Sequence, residues 1–257
     1  MANPAVEDAR RLLRPATRRE EGLFLAEGPH VVQDALDAGA VIETVFVSAD
    51  REEDASIAPL VAEADHRGAR IRRIQARELL RIADTEAPQG IIAIVRRAPE
   101  VAAPFSAAGT WVVLDGVQDP GNVGTLLRSA EAFGARGVIA GPGTADLWGP
   151  KVIRAAQGAH FRFTLLDGDL DEHLHAFGAA GGTLWTTAAG GANVYEIAAR
   201  PSLLALLLGS EARGVSEHLA ARATKVVAVP QPGRAESLNV AMAGTVLLSW
   251  ILSRPRG

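Results

Sequence analysis

Apolar and polar positions along the chain divide it into alternating helices and strands. Over the first hundred residues the spacing predicts helices at 31–38 and 58–67, strands at 41–48 and 69–74, a further helix around 76–82 and an apolar strand at 90–95. Residues 96–110 lose periodicity and gain Pro, Ala and Gly, the composition of a connection. Beyond it, strands are expected at 110–115, 137–140, 161–165, 182–187, 203–208 and 226–229. Helices are expected at 122–133, 151–158, 170–178 and 239–252. The strands at 203–208 and 226–229 are all-apolar, as in a parallel sheet covered on both faces. The fold class is therefore α/β: a small N-terminal α/β domain (1–100), a linker (101–109) and a mostly parallel C-terminal α/β domain (110–257). Only Thr245 and Ser249 interrupt the last helix, so it must bury itself against the sheet, a partner subunit, or both.

Composition narrows the function classes. The 257 residues are 48% hydrophobic, ample for buried cores. No apolar run reaches the roughly 18–20 residues of a membrane span, and the first twenty residues are rich in charge, so cytoplasmic residence without a membrane is expected. The absence of cysteine excludes disulfides and thiolate metal sites, and of six histidines only His173 and His175 form a close pair, which reads as a polar helix face. No metal is expected. A net charge of −4 argues mildly against a polyanionic partner. Two arginine-rich clusters, one from Arg10 to Arg19 and one from Arg67 to Arg81, read on charge alone as solvated faces.

Three polar segments at strand ends carry the candidate chemistry. Asp119-Pro120-Gly121-Asn122-Val123-Gly124 leads into a helix whose N-terminus offers free N–H groups to an anion, and Arg128 lies one and a half turns in, a planar cation suited to phosphate. An arginine paired with an acid would explain Arg128 equally well. Gly209-Ser210-Glu211 follows the strand ending at Leu208, at the carboxyl end where open α/β sheets bind ligands; Gly214 releases the turn. Val229-Pro230 ends another strand, and Glu236-Ser237-Leu238-Asn239 opens the last helix, where Ser237 and Asn239 face a ligand or cap the helix. The glycines at 116, 121 and 124 do not form a dinucleotide fingerprint, which argues against a nucleotide-dependent oxidoreductase.

In this order the three segments resemble the signature motifs of the SpoU/TrmH branch of the SPOUT methyltransferases, which methylate the ribose 2′-hydroxyl of structural RNAs. Asn122, Gly124 and Arg128 match the first motif, Gly209, Glu211 and Gly214 the second, and Pro230, Glu236, Ser237, Leu238 and Asn239 the third. Phe24-Leu25-Ala26-Glu27-Gly28, the 33–48 helix and strand, and Thr85-Glu86-Ala87-Pro88-Gln89-Gly90-Ile91 resemble the family's substrate-binding domain, L30e-like in relatives. The resemblance implies a deep trefoil knot in the C-terminal domain, a homodimer packed through it, and S-adenosyl-L-methionine as cofactor. The cofactor would be held at Leu208, Gly209, Val229, Ser237 and Leu238. It also implies a reactive cluster of Asn122, Arg128, Glu211, Ser237 and Asn239 acting on RNA, with 23S ribosomal RNA favoured over transfer RNA. A ribosome assembly factor that binds RNA without catalysis is the remaining alternative. One departure stands out: Gln231-Pro232-Gly233-Arg234 occupies the place where many relatives have a methionine and small residues.

Overall fold

The structure is a computed structural model and describes residues 3–99, 105, 107–234 and 237–255. In chain order the elements are α1 (Pro4–Arg11), α2 (Pro15–Glu21), β1 (Leu23–Glu27), α3 (Pro29–Asp37), β2 (Ile42–Ser48), α4 (Ala58–His66), β3 (Arg70–Ile74), α5 (Ala76–Leu79) and β4 (Ile91–Arg96). Then follow β5 (Gly109–Asp115), α6 (Pro120–Ala132), β6 (Gly137–Ala140), α7 (Pro150–Ala156), β7 (Thr164–Asp167), α8 (Leu170–Ala179), β8 (Thr183–Asn193), β9 (Leu203–Gly209), α9 (Glu217–Ala220), β10 (Lys225–Ala228) and α10 (Val240–Ser253). Two compact units result: Met1–Pro99 with Trp148–Arg162, and Glu100–Leu147 with Phe163–Gly257. Most of the 101–109 linker lies outside the described residues.

The first unit is built on a mixed four-stranded sheet of order β1-β4-β2-β3, in which β4 runs antiparallel to both neighbours and β3 is a parallel edge. Its core includes Val6, Ala9 and Leu12 of the N-terminal helices packed with Leu25, Phe46, Ile92 and Leu79. The N-terminal arginines are not one solvated face: Arg18 is buried, and its Nη1 donates to the Leu12 carbonyl at 2.6 Å. Here a buried cation caps a helix end. Residues 148–162 join this unit through aromatic packing, with Trp148 4.9 Å from Phe24 between ring centroids and Phe161 stacked on Phe24 at 6.1 Å. That packing explains why the strand expected at 161–165 begins only at Thr164. Phe161 ends a 3-10 turn (Ala159–Phe161) instead.

The second unit holds a six-stranded sheet of order β10-β8-β9-β5-β6-β7, with every neighbouring pair parallel. Alternation along the central strands separates its faces. Trp111, Val113, Leu203, Ala205 and Leu207 join Leu170, Leu174 and Phe177 of α8 on one side. On the other, Gly244 of α10 lies so close to Leu126 of α6 and Leu208 of β9 that a Cβ there would overlap Leu126. Ser129 and Thr245 share a hydrogen bond of 2.8 Å between these helices. The apolar α10 is thus buried along Ala241, Gly244, Leu247, Leu248 and Ile251, each fully buried leucine or isoleucine contributing about 1.5–3 kcal/mol. Met242 stays 64% exposed. Among the described residues no helix is long and apolar enough to cross a membrane, and no group of His, Asp and Glu gathers as a metal site.

Trp111 fits at the centre of the sheet because its partner across β6 is Gly137. A Cβ at Gly137 would overlap the Thr164 carbonyl oxygen and crowd the Trp111 ring. Gly137→Ala is expected to destabilise the protein by about 1–3 kcal/mol, seen as a lower urea midpoint at unchanged slope. An unchanged midpoint would mean that the strand does not pack as described.

Candidate functional site

The middle of β8, the carboxyl ends of β9 and β10 and the start of α10 enclose a pocket of about 250 Å³. β9 ends at Gly209, where a Cβ would overlap the backbone of Gly214 and Val215. The chain folds back on itself there. Gly214, at φ +67°, donates its N–H to the Ser210 carbonyl at 2.8 Å, and the Ser216 N–H reaches Asp115 Oδ2 at the end of β5 at 2.7 Å. The loop after β9 is therefore clamped to the neighbouring strand, with glycine backbone as its inner surface.

Asn239 opens α10. Its Oδ1 accepts from the N–H groups of Ala241 at 2.9 Å and Met242 at 3.3 Å, an N-cap, while its Nδ2 donates to Asn122 Oδ1 at 3.0 Å. Asn122 in turn donates to Glu211 Oε1. Asn122 is positioned at the first turn of α6, where Asp119 caps the helix by accepting its N–H at 2.8 Å. One chain of side-chain hydrogen bonds thus joins the starts of two helices to the loop after β9. The capping role considered for Asn239 and its role in the polar cluster coexist, because an amide oxygen and an amide nitrogen serve different partners.

Every position the motifs pointed to for a cofactor, Leu208, Gly209, Val229, Ser237 and Leu238, lines this pocket, as do Glu211 and Asn239. Asn122 is tied to its rim. Arg128 is not among the lining residues. It belongs to the exposed stripe Gly121, Thr125, Arg128 and Ala132 of α6 and has no ion pair or hydrogen bond among the described residues. Glu236 lies outside the described residues.

The profile of the SpoU rRNA Methylase family matches residues 109–249, the stretch that builds this pocket. The chain belongs to the SpoU rRNA methylase family. In this SpoU protein, residues 3–93 additionally match the MRM3-like substrate binding domain. The chain is similar to the 23S rRNA (guanosine(2553)-2′-O)-methyltransferase RlmP of Bacillus subtilis, at 32% identity over 96% of this chain and 95% of that one. Among solved structures it is similar to the AdoMet-bound rRNA methyltransferase from Sinorhizobium meliloti, with TM-score 0.84 and 30% identity covering 96% and 94% of the two chains. It is also similar to the SpoU methyltransferase AviRb from Streptomyces viridochromogenes in complex with AdoMet, with TM-score 0.85 and 26% identity covering 98% and 97%.

The motifs missed one wall of the SpoU pocket, formed by Thr187, Ala188 and Ala189. β8 runs to Asn193 rather than ending at 187, and its register with β10 jumps from Val226↔Thr186 to Val227↔Ala192, so residues 187–191 bulge out beside the pocket. The sequence signal was the run Thr187-Ala188-Ala189-Gly190-Gly191-Ala192. Its small residues permit close approach: a Cβ at Gly191 would press on the Val227 backbone at 2.7 Å. Gln231, from the segment that departs from the family pattern, also lines the pocket.

The two functions of Asn239 are separable by substitution. Asn239→Ala is expected to lower stability by about 1 kcal/mol, whereas Asn239→Ser, which keeps a capping oxygen, is expected to cost only a few tenths. Equal losses in urea denaturation would assign the effect to the Asn122 tie rather than to the cap.

Proposed function

We propose that this chain transfers a methyl group from S-adenosylmethionine to a ribose 2′-hydroxyl of ribosomal RNA, and that 23S rRNA is the substrate. The observation that carries the reading is the convergence of Leu208, Gly209, Val229, Ser237 and Leu238 on one pocket with Glu211 and Asn239. The residues present fit the cofactor. Leu208, Val227, Val240 and Leu247 give apolar walls for an adenine ring, Gly209 gives a backbone surface that no side chain obstructs, and Ser237, Asn239 and Glu211 give polar partners for the ribose and amino-acid portions. Bound there, S-adenosylmethionine supplies a methyl group already activated by its sulfonium.

The residues of the chain then have three tasks: to align the ribose oxygen, to exclude water and to manage the hydroxyl proton. The main-chain groups of Gly209, Val229 and Leu238 hold the cofactor. Glu211, with one oxygen accepting from Asn122, keeps its second oxygen for a ligand hydroxyl or amide. Asn122 and Asn239 fix that carboxylate in place. Arg128 binds the phosphate beside the target ribose and stabilises developing alkoxide charge, a role that suits a permanent cation better than proton acceptance does. The proton leaves through a substrate phosphate, through water, or by way of the Arg128 site.

A threaded, knotted chain path in the second unit and a homodimer through it belong to the same reading. The exposed Met242 of α10 and Phe133 at the end of α6 support the homodimer, since a partner surface would cover them.

The reading is tested by radiolabelled methyl transfer to RNA from a strain lacking this gene. Label in a 2′-O-methyl nucleotide of 23S rRNA is expected; label confined to transfer RNA would replace the substrate, and no label despite tight S-adenosylmethionine binding would leave an RNA-binding assembly factor. Arg128→Ala is expected to lower kcat by about 10²–10³ while leaving the Kd for S-adenosylmethionine within about twofold. A comparable loss of cofactor affinity would remove Arg128 from the RNA side of the reaction.

A further inference from the structure

The first unit contains its own pocket, of about 180 Å³, lined from three separate stretches of sequence: Glu27, Gly28, His30 and Val31; Thr85, Ala87 and Gln89; Arg154 and Gln157. Its charged groups are already satisfied. Glu27 accepts from the Asp84 N–H at 2.8 Å and from the Thr85 hydroxyl, which ties the loop before β4 to the end of β1. Arg154 pairs with Asp84 at 2.9 Å. What remains open is polar: the His30 imidazole, the Gln89 amide, and the amide oxygen of Gln157, a residue whose Nε2 donates to the Arg154 carbonyl at 3.2 Å. Val31 supplies a buried apolar surface.

Two backbone features hold this arrangement. Gly28, at φ +97°, leaves only 3.0 Å between a built Cβ position and Gln89 Oε1, so glycine lets the Gln89 amide lie across the chain. Gln157, at φ 50° and ψ 55°, is the only non-glycine residue with positive φ among the described residues. That conformation is strained for glutamine and persists where its surroundings over-determine it. Here Arg162 does so, donating from Nη2 to the Gln157 carbonyl at 2.9 Å and from Nη1 to Asp34 at 3.2 Å. The following Gly158 sits against Asp34, where any Cβ would overlap the carboxylate.

We infer that this pocket receives one unpaired nucleobase of the substrate RNA, read by Gln89, His30 and Gln157. Internally neutralised charges make it a poor phosphate site. Two amides and an imidazole beside an apolar surface offer donors and acceptors that match the edge and face of a heteroaromatic base, the features by which unstacked RNA bases are recognised. Its volume falls below the roughly 300–1,000 Å³ of pockets for drug-sized ligands and suits a single ring system. This rests on the RNA-methylating reading above.

The test compares the full-length wild type with Gln89→Ala, His30→Ala and Gln157→Gly, the last of which removes the side chain while relaxing the backbone. Binding to deproteinised 23S rRNA is measured over a range of salt concentrations, alongside S-adenosylmethionine affinity as a check on folding. Gln89→Ala and Gln157→Gly are expected to weaken RNA binding about fivefold or more, with the slope of log K against log salt unchanged, because no phosphate contact is lost. Wild-type RNA affinity in both variants, or a slope reduced by about one, would overturn the pocket as a base site. The outcomes separate from the catalytic reading. Wild-type methyl transfer with unaffected variants sinks this inference alone, whereas weakened RNA binding in the variants with no methyl transfer by the wild type sinks the enzyme and keeps the pocket.

Discussion

The amide of Asn122 is the joint on which the candidate catalytic site depends. Its nitrogen donates to Glu211 and its oxygen accepts from Asn239, residues 89 and 117 positions further along the chain. No other side chain of that size offers both functions at fixed geometry. An aspartate would set a second carboxylate against Glu211, and a leucine would strand the polar atoms of both neighbours. Because Asn239 also caps α10, the helix that bears on α6 and β9, the bond passes local geometry into tertiary packing. The polar rim of the pocket and the seat of the last helix are thereby fixed together.

The parallel sheet makes that joint possible. Parallel strands send all their carboxyl ends to one edge, so loops far apart in sequence meet without a dedicated scaffold. Glycine sets how closely they meet. Gly209 lets the loop after β9 fold onto its own strand end, Gly191 lets the β8 bulge lie on β10, and Gly244 lets α10 reach β9. Each lies where a methyl group has no room, so the pocket is walled by backbone as much as by side chains.

Much of this was legible in the chain. The apolar runs at 137–140 and 203–208 are β6 and nearly all of β9, the second and third motifs named residues that share a pocket, and Asn122 of the first is tied to its rim. Three things were not legible, each for a physical reason. The segment 161–165 alternates like a strand, but Phe161 gains more by stacking on Phe24, a partner 137 residues earlier that periodicity does not register. β8 continues past 187 through Ala and Gly, residues with weak strand preference, because beyond the bulge Ala192 and Asn193 pair with Val227 and Ala228 of β10. The N-terminal helices were hidden by their arginines. Charge suggested a solvated face, yet α1 buries Val6 and Ala9 on its other side, and Arg18 turns inward to cap a helix end.

Charge bookkeeping also reconciles a net −4 with an RNA partner. In the first unit Arg51, Arg67, Arg73, Arg81, Arg96, Arg154 and Arg162 each close an ion pair. Glu52 accepts from Arg73 Nε through both oxygens and raises its pKa further above the ordinary arginine value. Exposed pairs of this kind add little to stability, but they withdraw cations from a polyanion. Arg10, Arg14, Arg19 and Arg77, together with Arg70 and Arg72 on the edge strand β3, are exposed and unpaired among the described residues and remain available, as does Arg128. These exposed cations supply the salt-dependent share of the affinity for RNA through counterion release, a share that each closed ion pair diminishes. Contacts that salt does not weaken add to that share, and a pocket lined by amides and an imidazole is a physical form such contacts take.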